Sequence, residues 1–203
     1  MILADCHVHS AFSDDCETPV EQMIETAIAQ GKKYFYLTDH QDFDYPVMDD
    51  GVTFQLAQEP YVRRMEELKY QYKDKIDIRI GVELGLMAHI KDKTEAYAKA
   101  YDYDFIIGSS HMVNGVDPYY PAYYADKNEY QAYEQYFLSI LDNVKAYDCY
   151  HVYGHLYYIM RYVPNQTKPY DPMAYGDIFR EILKTIIDHG KGIEVNTGSL
   201  YKG

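Results

Sequence analysis

The chain has no tryptophan and only three cysteines, Cys6, Cys16 and Cys149. An odd number of cysteines without Cys-x-x-Cys spacing argues against a disulfide scaffold and against a zinc site built from thiolates. The sequence also has no apolar run near the roughly 20 residues that span a bilayer, and no basic segment leading into an apolar stretch at its N-terminus. We therefore expect a cytoplasmic protein with no membrane partner.

Positive charge is scarce as well. The chain carries 19 lysines and arginines against 32 aspartates and glutamates, which gives a formal net charge of −13. A field of this sign repels nucleic acid and anionic membranes, so neither is an expected partner. Bound divalent cations would reverse the charge locally, because an ion is usually the largest charge in the site that holds it.

Six short apolar segments alternate with helical patterns along the 203 residues. They lie near residues 2–4, 34–38, 76–82, 104–108, 149–153 and 192–196. Strands that alternate with helices predict an α/β fold with a parallel sheet and right-handed crossovers. No Gly-x-Gly-x-x-G turn follows a strand, which favours a closed barrel over an open doubly wound sheet. Because no linker or low-complexity tract divides the chain, residues 1–203 are predicted to form a single domain.

Two helix starts carry capping signals. Thr18, followed by Pro19 and Glu21, predicts a helix with Thr18 as its N-cap. Asp126 and Glu129 have the spacing of a capping box, which predicts that a later helix begins there.

Histidines and acidic residues follow the ends of different predicted strands. His7 and His9 are two residues apart in an extended segment, so their side chains face the same way. The carboxyl ends of the strands of an α/β barrel meet at one rim, where such proteins carry their chemistry. Imidazole and carboxylate without thiolate predict a hydrolytic centre for two or three zinc, manganese or iron ions, which Glu83 would bridge. The seven potential ligands are His7, His9, Asp15, His40, Glu83, His111 and His155.

The motifs around these residues resemble, in their order, those of the PHP (polymerase and histidinol phosphatase) superfamily, and within it the histidinol-phosphatase type. They are Asp5-Cys6-His7-Val8-His9, Thr38-Asp39-His40, Gly81-Val82-Glu83, Gly108-Ser109-Ser110-His111 and Tyr153-Gly154-His155, with Gly192-Ile193-Glu194-Val195-Asn196-Thr197 beyond them. The resemblance implies a distorted (β/α)7 TIM-like barrel with a centre of two to three divalent metal ions. It also implies hydrolysis of a small phosphate monoester, most specifically of L-histidinol phosphate to L-histidinol in histidine biosynthesis.

Two further expectations rest on the resemblance. It implies a metal ligand in the acidic pair after Phe12, where the position six residues after His9 favours Asp15, with Asp14 as the alternative. The family pattern also continues to a Gly-Ser-Asp-x-His motif that supplies a carboxylate and an imidazole to the metals. The sequence reaches Gly203 without that motif. We therefore expect a truncated domain without the C-terminal strand and helix, rather than a divergent protein, and its activity would depend on the missing ligands.

Arg161 is the residue predicted to bind phosphate. It lies six residues after His155, and its planar guanidinium suits two parallel contacts with a phosphate, although a surface ion pair is the alternative. Lys202 is a second candidate for phosphate contact, and the expected catalytic residues are Glu83, His155 and Arg161. Three other functions fit the sequence: a PHP phosphoesterase for another small phosphate ester, a catalytically impaired metal-binding barrel, and an amidohydrolase-like enzyme. Amidohydrolases usually have a metal-bridging lysine where Glu83 stands.

Overall fold

The computed structural model describes residues 2–47, 51–164 and 171–197. Its strands are β1 (Ala4–Asp5), β2 (Tyr34–Leu37), β3 (His40–Asp42), β4 (Asp77–Gly85), β5 (Phe105–Ser109), β6 (Val152–Tyr153) and β7 (Gly192–Ile193). Its α-helices are α1 (Val20–Ala29), α2 (Gln58–Tyr72), α3 (Lys91–Lys99), α4 (Glu129–Ala146) and α5 (Gly176–Asp188). No helix within the described ranges is both long and apolar enough to cross a membrane. The chain divides into two compact units, residues 1–84 with 97–107 and residues 85–96 with 108–203.

In the first unit, β4 lies between the other strands. β1 pairs in parallel with β2, and β2 pairs in parallel with β4, with Leu37 opposite Ile80. β3 also pairs with β4, and Asp104, just before β5, donates its backbone N–H to Ile80 O at 2.8 Å. Alternate residues of a strand point to the same face of the sheet. β4 buries Ile78, Ile80, Val82 and Leu84 on one face, and Gly81 and Glu83 are buried on the other.

The helices of the first unit each bury one face. Spacings of three and four residues place apolar side chains on a single stripe of a helix. In α1 this stripe contains Val20, Ile24 and Ala27, and in α2 it contains Tyr61, Met65, Leu68 and Tyr72.

Gly81 allows β4 to lie tightly between its neighbours. A Cβ at this position would lie 2.7 Å from Phe105 O and 2.9 Å from Leu37 O, and neither backbone oxygen can move without shifting a strand. The hydroxyl of buried Tyr61 lies 3.0 Å from Gly81 O and 3.2 Å from Leu37 O, so it caps both carbonyls. Glu83 therefore lies two residues after Gly81, where β4 is closely packed against the backbone on both sides.

The second unit joins the end of β5 to β6 and β7. Gly154 N donates to Gly108 O at 2.9 Å, and β6 pairs in parallel with β7, with Val152 opposite Gly192. α4 packs against α5, where the ring centroids of Phe137 and Phe179 are 4.6 Å apart. These pairings bring residues 108–111 and 152–155 side by side.

The predicted α/β fold with parallel strands is confirmed, whereas closure into a (β/α)7 barrel stays a prediction. The structure adds β3, a buried three-residue strand of polar sequence that has no apolar periodicity to indicate it. β6 and β7 are also shorter than the strands predicted at 149–153 and 192–196.

Both predicted helix caps are wrong. α1 has Pro19 as its N-cap, one residue after Thr18, and no side chain caps it. α4 has a capping box, but Asn128 and Gln131 form it, with reciprocal bonds of 2.9 and 3.0 Å. The Asp126 carboxylate is instead paired with Lys127 Nζ at 2.7 Å. The amide side chains of Asn128 and Gln131 supply the same acceptors as the expected pair, two residues further along.

Candidate metal centre

The segment after β1 positions His7 and His9. Val8 N donates to Thr38 Oγ1 at 3.0 Å, and Thr38 N donates to Val8 O at 2.9 Å. These bonds tie the segment to the residues that follow β2. Because Val8 is held between them, the two imidazoles lie on the same side, with ring centroids 5.0 Å apart.

A second set of hydrogen bonds fixes the residues around His40. Ser10 N donates to Asp39 Oδ1 at 2.6 Å, and His40 N donates to Ser13 Oγ at 2.7 Å. Burial raises the pKa of Asp39 above its ordinary value, although the bonds from Ser10 oppose this shift. The hydrogen bonds of Ser10 N and Ser13 Oγ therefore connect the loop that follows His9 to the start of β3.

The Glu83 carboxylate is the point at which three imidazoles meet. Its side chain is fully buried, and Oε2 lies 3.0 Å from His7 Nε2, 3.1 Å from His9 Nε2 and 3.4 Å from His40 Nε2. His7 Nε2 and His9 Nε2 are 3.1 Å apart. Two nitrogens on one tetrahedral zinc ion are separated by roughly 3.3 Å when each Zn–N bond is about 2.0–2.1 Å. The ring nitrogens therefore face a common volume beside one carboxylate oxygen.

Asp15 lies with the imidazoles, whereas Asp14 does not. Asp15 Oδ2 is 2.8 Å from His9 Nδ1 and 3.6 Å from His40 Nε2. The adjacent Asp14 carboxylate turns towards residues 53 and 54 instead. Of the two acidic residues that the sequence left open, the structure places Asp15 among the predicted ligands.

Asp14 holds a strained loop in place. Its Oδ2 accepts hydrogen bonds from Thr53 N at 2.7 Å and from Phe54 N at 2.9 Å. Phe54 has a φ of 48°, a left-handed conformation that a bulky residue rarely adopts. Its ring packs against His40, with centroids 4.6 Å apart. Asp14 thus holds the backbone of Phe54, whose ring packs against the His40 imidazole.

Burial and the neighbouring carboxylates act in opposite directions on these imidazoles. Burial disfavours the charged form of His9, but its bonds to Asp15 and Glu83 outweigh burial and raise the pKa of His9 to about 10. Burial likewise opposes protonation of His40, but Glu83, Asp15 and Asp42 raise its pKa. Burial alone would raise the pKa of Asp15, yet His40 and His9 hold it far below its ordinary value. Without metal, the cluster therefore carries protons that a cation would displace.

Asp42 fixes the orientation of His40. Its fully buried carboxylate lies 3.2 Å from His40 Nδ1, while His40 Nε2 faces Glu83. A metal-binding histidine commonly donates its second ring N–H to a carboxylate, which sets the tautomer and makes the free nitrogen a better ligand. In this arrangement Nε2 of His40 faces Glu83 and is the nitrogen that would bind a metal ion.

The donor set of the first unit fits a divalent metal ion. Two groups of three donors have ligand atoms within 4.8 Å of one another: His7 with His9 and Glu83, and His9 with Asp15 and His40. Imidazole and carboxylate together suit zinc, iron or manganese. The buried Glu83 carboxylate is stable only with positive charge beside it, which protons on the three facing imidazoles or bound metal ions would supply.

His111 and His155 lie together in the second unit. Both are buried, and their ring centroids are 5.3 Å apart. The residues before them are joined by a polar network, in which Asn143 Nδ2 donates to Ser110 Oγ at 2.7 Å and Ser110 Oγ lies 2.6 Å from the Tyr153 hydroxyl. The ends of β5 and β6 are therefore fixed just where each one presents a histidine.

Arg161 ends a short 3-10 helix that begins at Tyr158. Its Nη2 donates to Asn196 Oδ1 at 3.2 Å, so the guanidinium is oriented by a neutral amide. Arg161 and His155 both line a cavity of about 620 Å³ in the second unit. Lys202, the other predicted phosphate contact, lies outside the described residues.

Cys6 lies between Asp5 and His7, and its side chain is exposed. Partial burial and then the negative charge of Asp5 raise the pKa of the thiol above its ordinary value. The sulfur therefore keeps its proton near neutral pH.

The sequence model of the PHP domain family matches residues 5–198 of this chain. The chain belongs to the PHP domain family. This confirms the family that the motifs indicated. A histidinol-phosphatase of Lactococcus lactis subsp. lactis is 33% identical to this PHP domain over 194 residues, which are 95% of this chain and 71% of the relative. A relative from Clostridium acetobutylicum is 29% identical over 198 residues, which are 98% of this chain and 74% of the relative.

A solved structure resembles the fold of this PHP domain. It is the crystal structure of histidinol phosphate phosphatase from Lactococcus lactis subsp. lactis in complex with zinc, L-histidinol and phosphate. The TM-score is 0.89 at 32% sequence identity, and the match covers 96% of this chain and 73% of the other.

Five of the seven predicted ligands of this PHP domain lie together in the first unit, and the other two lie together in the second. Three residues at these clusters are not among those predicted from the sequence. Asp42 contacts His40, Tyr158 contacts His111 and His155, and Asp117 accepts a hydrogen bond from the Tyr158 hydroxyl. A signal for Asp42 was available, because a carboxylate two residues after His40 on a strand faces the same way. Tyr158 lies in a tyrosine-rich sequence, where composition does not single it out.

Proposed function

We propose that this PHP domain is a metal-dependent histidinol-phosphatase, which hydrolyses L-histidinol phosphate to L-histidinol and phosphate. The observation that carries the proposal is the buried Glu83 carboxylate, which has three imidazole nitrogens within 3.4 Å of one oxygen. This cluster occurs in a chain that is 33% identical to a histidinol-phosphatase. The similar crystal structure of histidinol phosphate phosphatase, in complex with zinc, L-histidinol and phosphate, supports the same substrate.

The proposed cofactor is a set of two to three zinc, manganese or iron ions. Divalent ions at such a site supply Lewis acidity, which activates water and neutralises phosphoryl oxygens. The first unit offers two overlapping groups of three donors, and the family pattern adds two imidazoles from the second unit. The proposed ligands are His7, His9, Asp15, His40, Glu83, His111 and His155.

Glu83, His155 and Arg161 are the proposed catalytic residues. Glu83 holds three imidazoles in one orientation, and His155 lies six residues before Arg161 along a tight turn. Arg161 would bind the phosphoryl oxygens, because its fork matches two of them at once. Lys202 is proposed as a second phosphate contact.

Replacing Arg161 by alanine tests the phosphate-binding role. The loss of a charge-assisted contact with the phosphoryl group is expected to raise KM for L-histidinol phosphate by about 10- to 100-fold. Arg161→Lys should recover part of the loss, because a lysine keeps the charge but not the fork. An unchanged KM in steady-state phosphate release from Arg161→Ala would retire this role.

The proposed partner is a small phosphate ester in the cytoplasm, and residues 1–203 are proposed to act as one phosphoesterase domain. A net charge of −13 disfavours a polyanionic substrate such as nucleic acid. Glu83 occupies the place where amidohydrolases usually carry a metal-bridging lysine, which favours phosphoester hydrolysis over amide hydrolysis.

A phosphate-release panel tests the function. L-histidinol phosphate, a nucleoside monophosphate and an aryl phosphate are supplied to chelator-stripped protein and to protein loaded with zinc, manganese or iron. We expect the highest kcat/KM for L-histidinol phosphate. The chelator-stripped protein should release no phosphate from any ester. Glu83→Gln should abolish the activity, whereas Glu67→Gln, at a side chain with 56% exposure, should retain it. The same panel is run on a version extended through the expected Gly-Ser-Asp-x-His motif, and release from no ester by either form under any metal condition would overturn the proposal.

A further inference from the structure

Tyr158 lies at the first position of the turn that connects His155 to Arg161. Its backbone N–H donates to His155 O at 2.9 Å, and the 3-10 helix that it begins ends at Arg161. The side chain is therefore attached to a short, hydrogen-bonded piece of backbone.

The Tyr158 ring contacts three residues of the proposed site. Its centroid is 5.6 Å from that of His111 at an angle of 62° and 5.4 Å from that of His155 at 36°. The Arg161 Cζ lies over the ring, 5.8 Å from its centroid, a distance at which a guanidinium is attracted by the aromatic face. One phenol ring thus sets the space available to both imidazoles and to the guanidinium.

Asp117 holds this ring in place. The Tyr158 hydroxyl lies 3.0 Å and 3.2 Å from the two carboxylate oxygens of Asp117. Asp117 Oδ1 is itself fixed by the backbone N–H of Tyr119 at 2.8 Å. Hydrogen bonds to an ionised acceptor are stronger than neutral ones, so this contact restricts the ring more than packing alone would.

Packing stability alone does not account for the pair. Asp117 is 2% exposed, and burial of a carboxylate is unfavourable unless hydrogen bonds compensate it. A phenylalanine at position 158 and an apolar residue at position 117 would fill the same volume without that cost. The buried polar pair instead adds directionality, because a hydrogen bond fixes ring orientation where an apolar contact does not.

We propose that Asp117 and Tyr158 form a positioning pair, in which the carboxylate holds the phenol ring so that the ring aligns His111, His155 and Arg161 for the phosphate ester. The inference rests on the proposed function and deepens it. Neither residue is assigned a contact with the substrate. Both act through the three side chains that the ring touches.

Four variants separate positioning from packing. Tyr158→Phe keeps the ring and removes its bond to Asp117. Asp117→Asn keeps a neutral acceptor, and Asp117→Leu removes the acceptor. The matched control is Tyr123→Phe, because Tyr123 is also buried and its hydroxyl donates to Ala132 O at 2.8 Å.

The first measurement does not require activity. NMR spectra of the imidazole groups are recorded on metal-free protein, with His111 and His155 assigned by substitution. Tyr158→Phe and Asp117→Leu should shift or broaden the signals of both histidines, and Asp117→Asn and Tyr123→Phe should leave them near the parent. If the signals of both histidines are unchanged in Tyr158→Phe, the pair does not position them and the inference is wrong, whatever the enzyme assays give.

The second measurement is steady-state kinetics with zinc-loaded protein. Tyr158→Phe is expected to lower kcat/KM for L-histidinol phosphate about tenfold, the effect of one lost hydrogen bond to a charged group. Asp117→Asn should stay within about threefold of the parent, because a neutral bond remains. The double variant Tyr158→Phe with Asp117→Leu should be no worse than the poorer single variant, since residues that act as a unit are not additive.

The two proposals fail in different ways. If neither the parent protein nor its extended version releases phosphate from any ester, the function is wrong while the NMR result still decides the positioning role. If the parent is active and Tyr158→Phe matches Tyr123→Phe in kcat/KM, the positioning role is wrong while the function stands, even if the unfolding midpoints of the two variants differ. If Asp117→Leu does not fold, Tyr158→Phe and Asp117→Asn alone decide the outcome.

Discussion

Replacing Asp15 and Asp14 one at a time by asparagine should separate a metal ligand from a structural carboxylate. Two unit charges about 4 Å apart interact by about 4 kcal/mol at an effective dielectric constant of about 20, which is a lower bound for a divalent ion. The Asp15 side chain is 37% exposed, so solvent screening reduces this to about 2 kcal/mol. We therefore expect Asp15→Asn to weaken zinc binding by at least about 30-fold, since each 1.4 kcal/mol is about a factor of ten.

Asp14→Asn should behave differently. Its carboxylate accepts from Thr53 N and Phe54 N, and lies 3.1 Å from Thr53 Oγ1. The loss of its charge should cost about 1 kcal/mol in the free energy of unfolding. Zinc affinity should be close to that of the parent, because Asp14 directs its carboxylate towards the loop rather than the imidazoles.

Two measurements on the same protein samples give the answer. Zinc affinity is obtained by competition with a chromophoric chelator, and stability by urea unfolding of the metal-free protein. Asparagine is nearly isosteric with aspartate, so each variant changes charge with little change in volume. A loss of zinc affinity in Asp14→Asn that equals or exceeds the loss in Asp15→Asn would refute the reasoning.

Three further perturbations test the imidazoles around Glu83 and the strand β4 that carries this residue. Asp42→Asn should reduce zinc affinity about 10- to 100-fold, because it weakens the contact that orients His40; equal affinities in the chelator competition would contradict this. With the pKa of His9 at about 10 and that of His40 also raised, zinc must displace protons, so affinity should rise at least about tenfold per unit between about pH 6 and 8. A pH-independent affinity would rule out those protons. Gly81→Ala should lower the free energy of unfolding by about 1–3 kcal/mol, because its Cβ would meet backbone oxygens of two adjacent strands; an unchanged urea midpoint would show that the strands can separate.

The histidines and Glu83 could be grouped from the sequence because each follows an apolar run, and parallel strands end at a common edge. The choice between Asp14 and Asp15 could not be settled in the same way. It depends on the loop at residues 53 and 54, which lies about forty residues away in sequence and takes up one of the two carboxylates. No periodicity encodes such a contact.

The tyrosines show the same limit. Tyr158 is one of 25 in the chain, and its role depends on a carboxylate 41 residues away. The start of α4 was misplaced by two residues for a related reason, because Asn128 and Gln131 make the bonds that an acidic pair was expected to make. Local patterns identify which kinds of group are present, whereas long-range contacts decide which of several equivalent groups is used.

The raised pKa of Cys6 bears on how this protein withstands oxidants. Peroxides and alkylating reagents attack the thiolate, and the first product of oxidation is a sulfenic acid that can proceed to irreversible forms. An exposed cysteine directly before His7 would place that damage beside the imidazoles. Because its sulfur stays protonated, Cys6 should react slowly with peroxides and alkylating reagents near neutral pH.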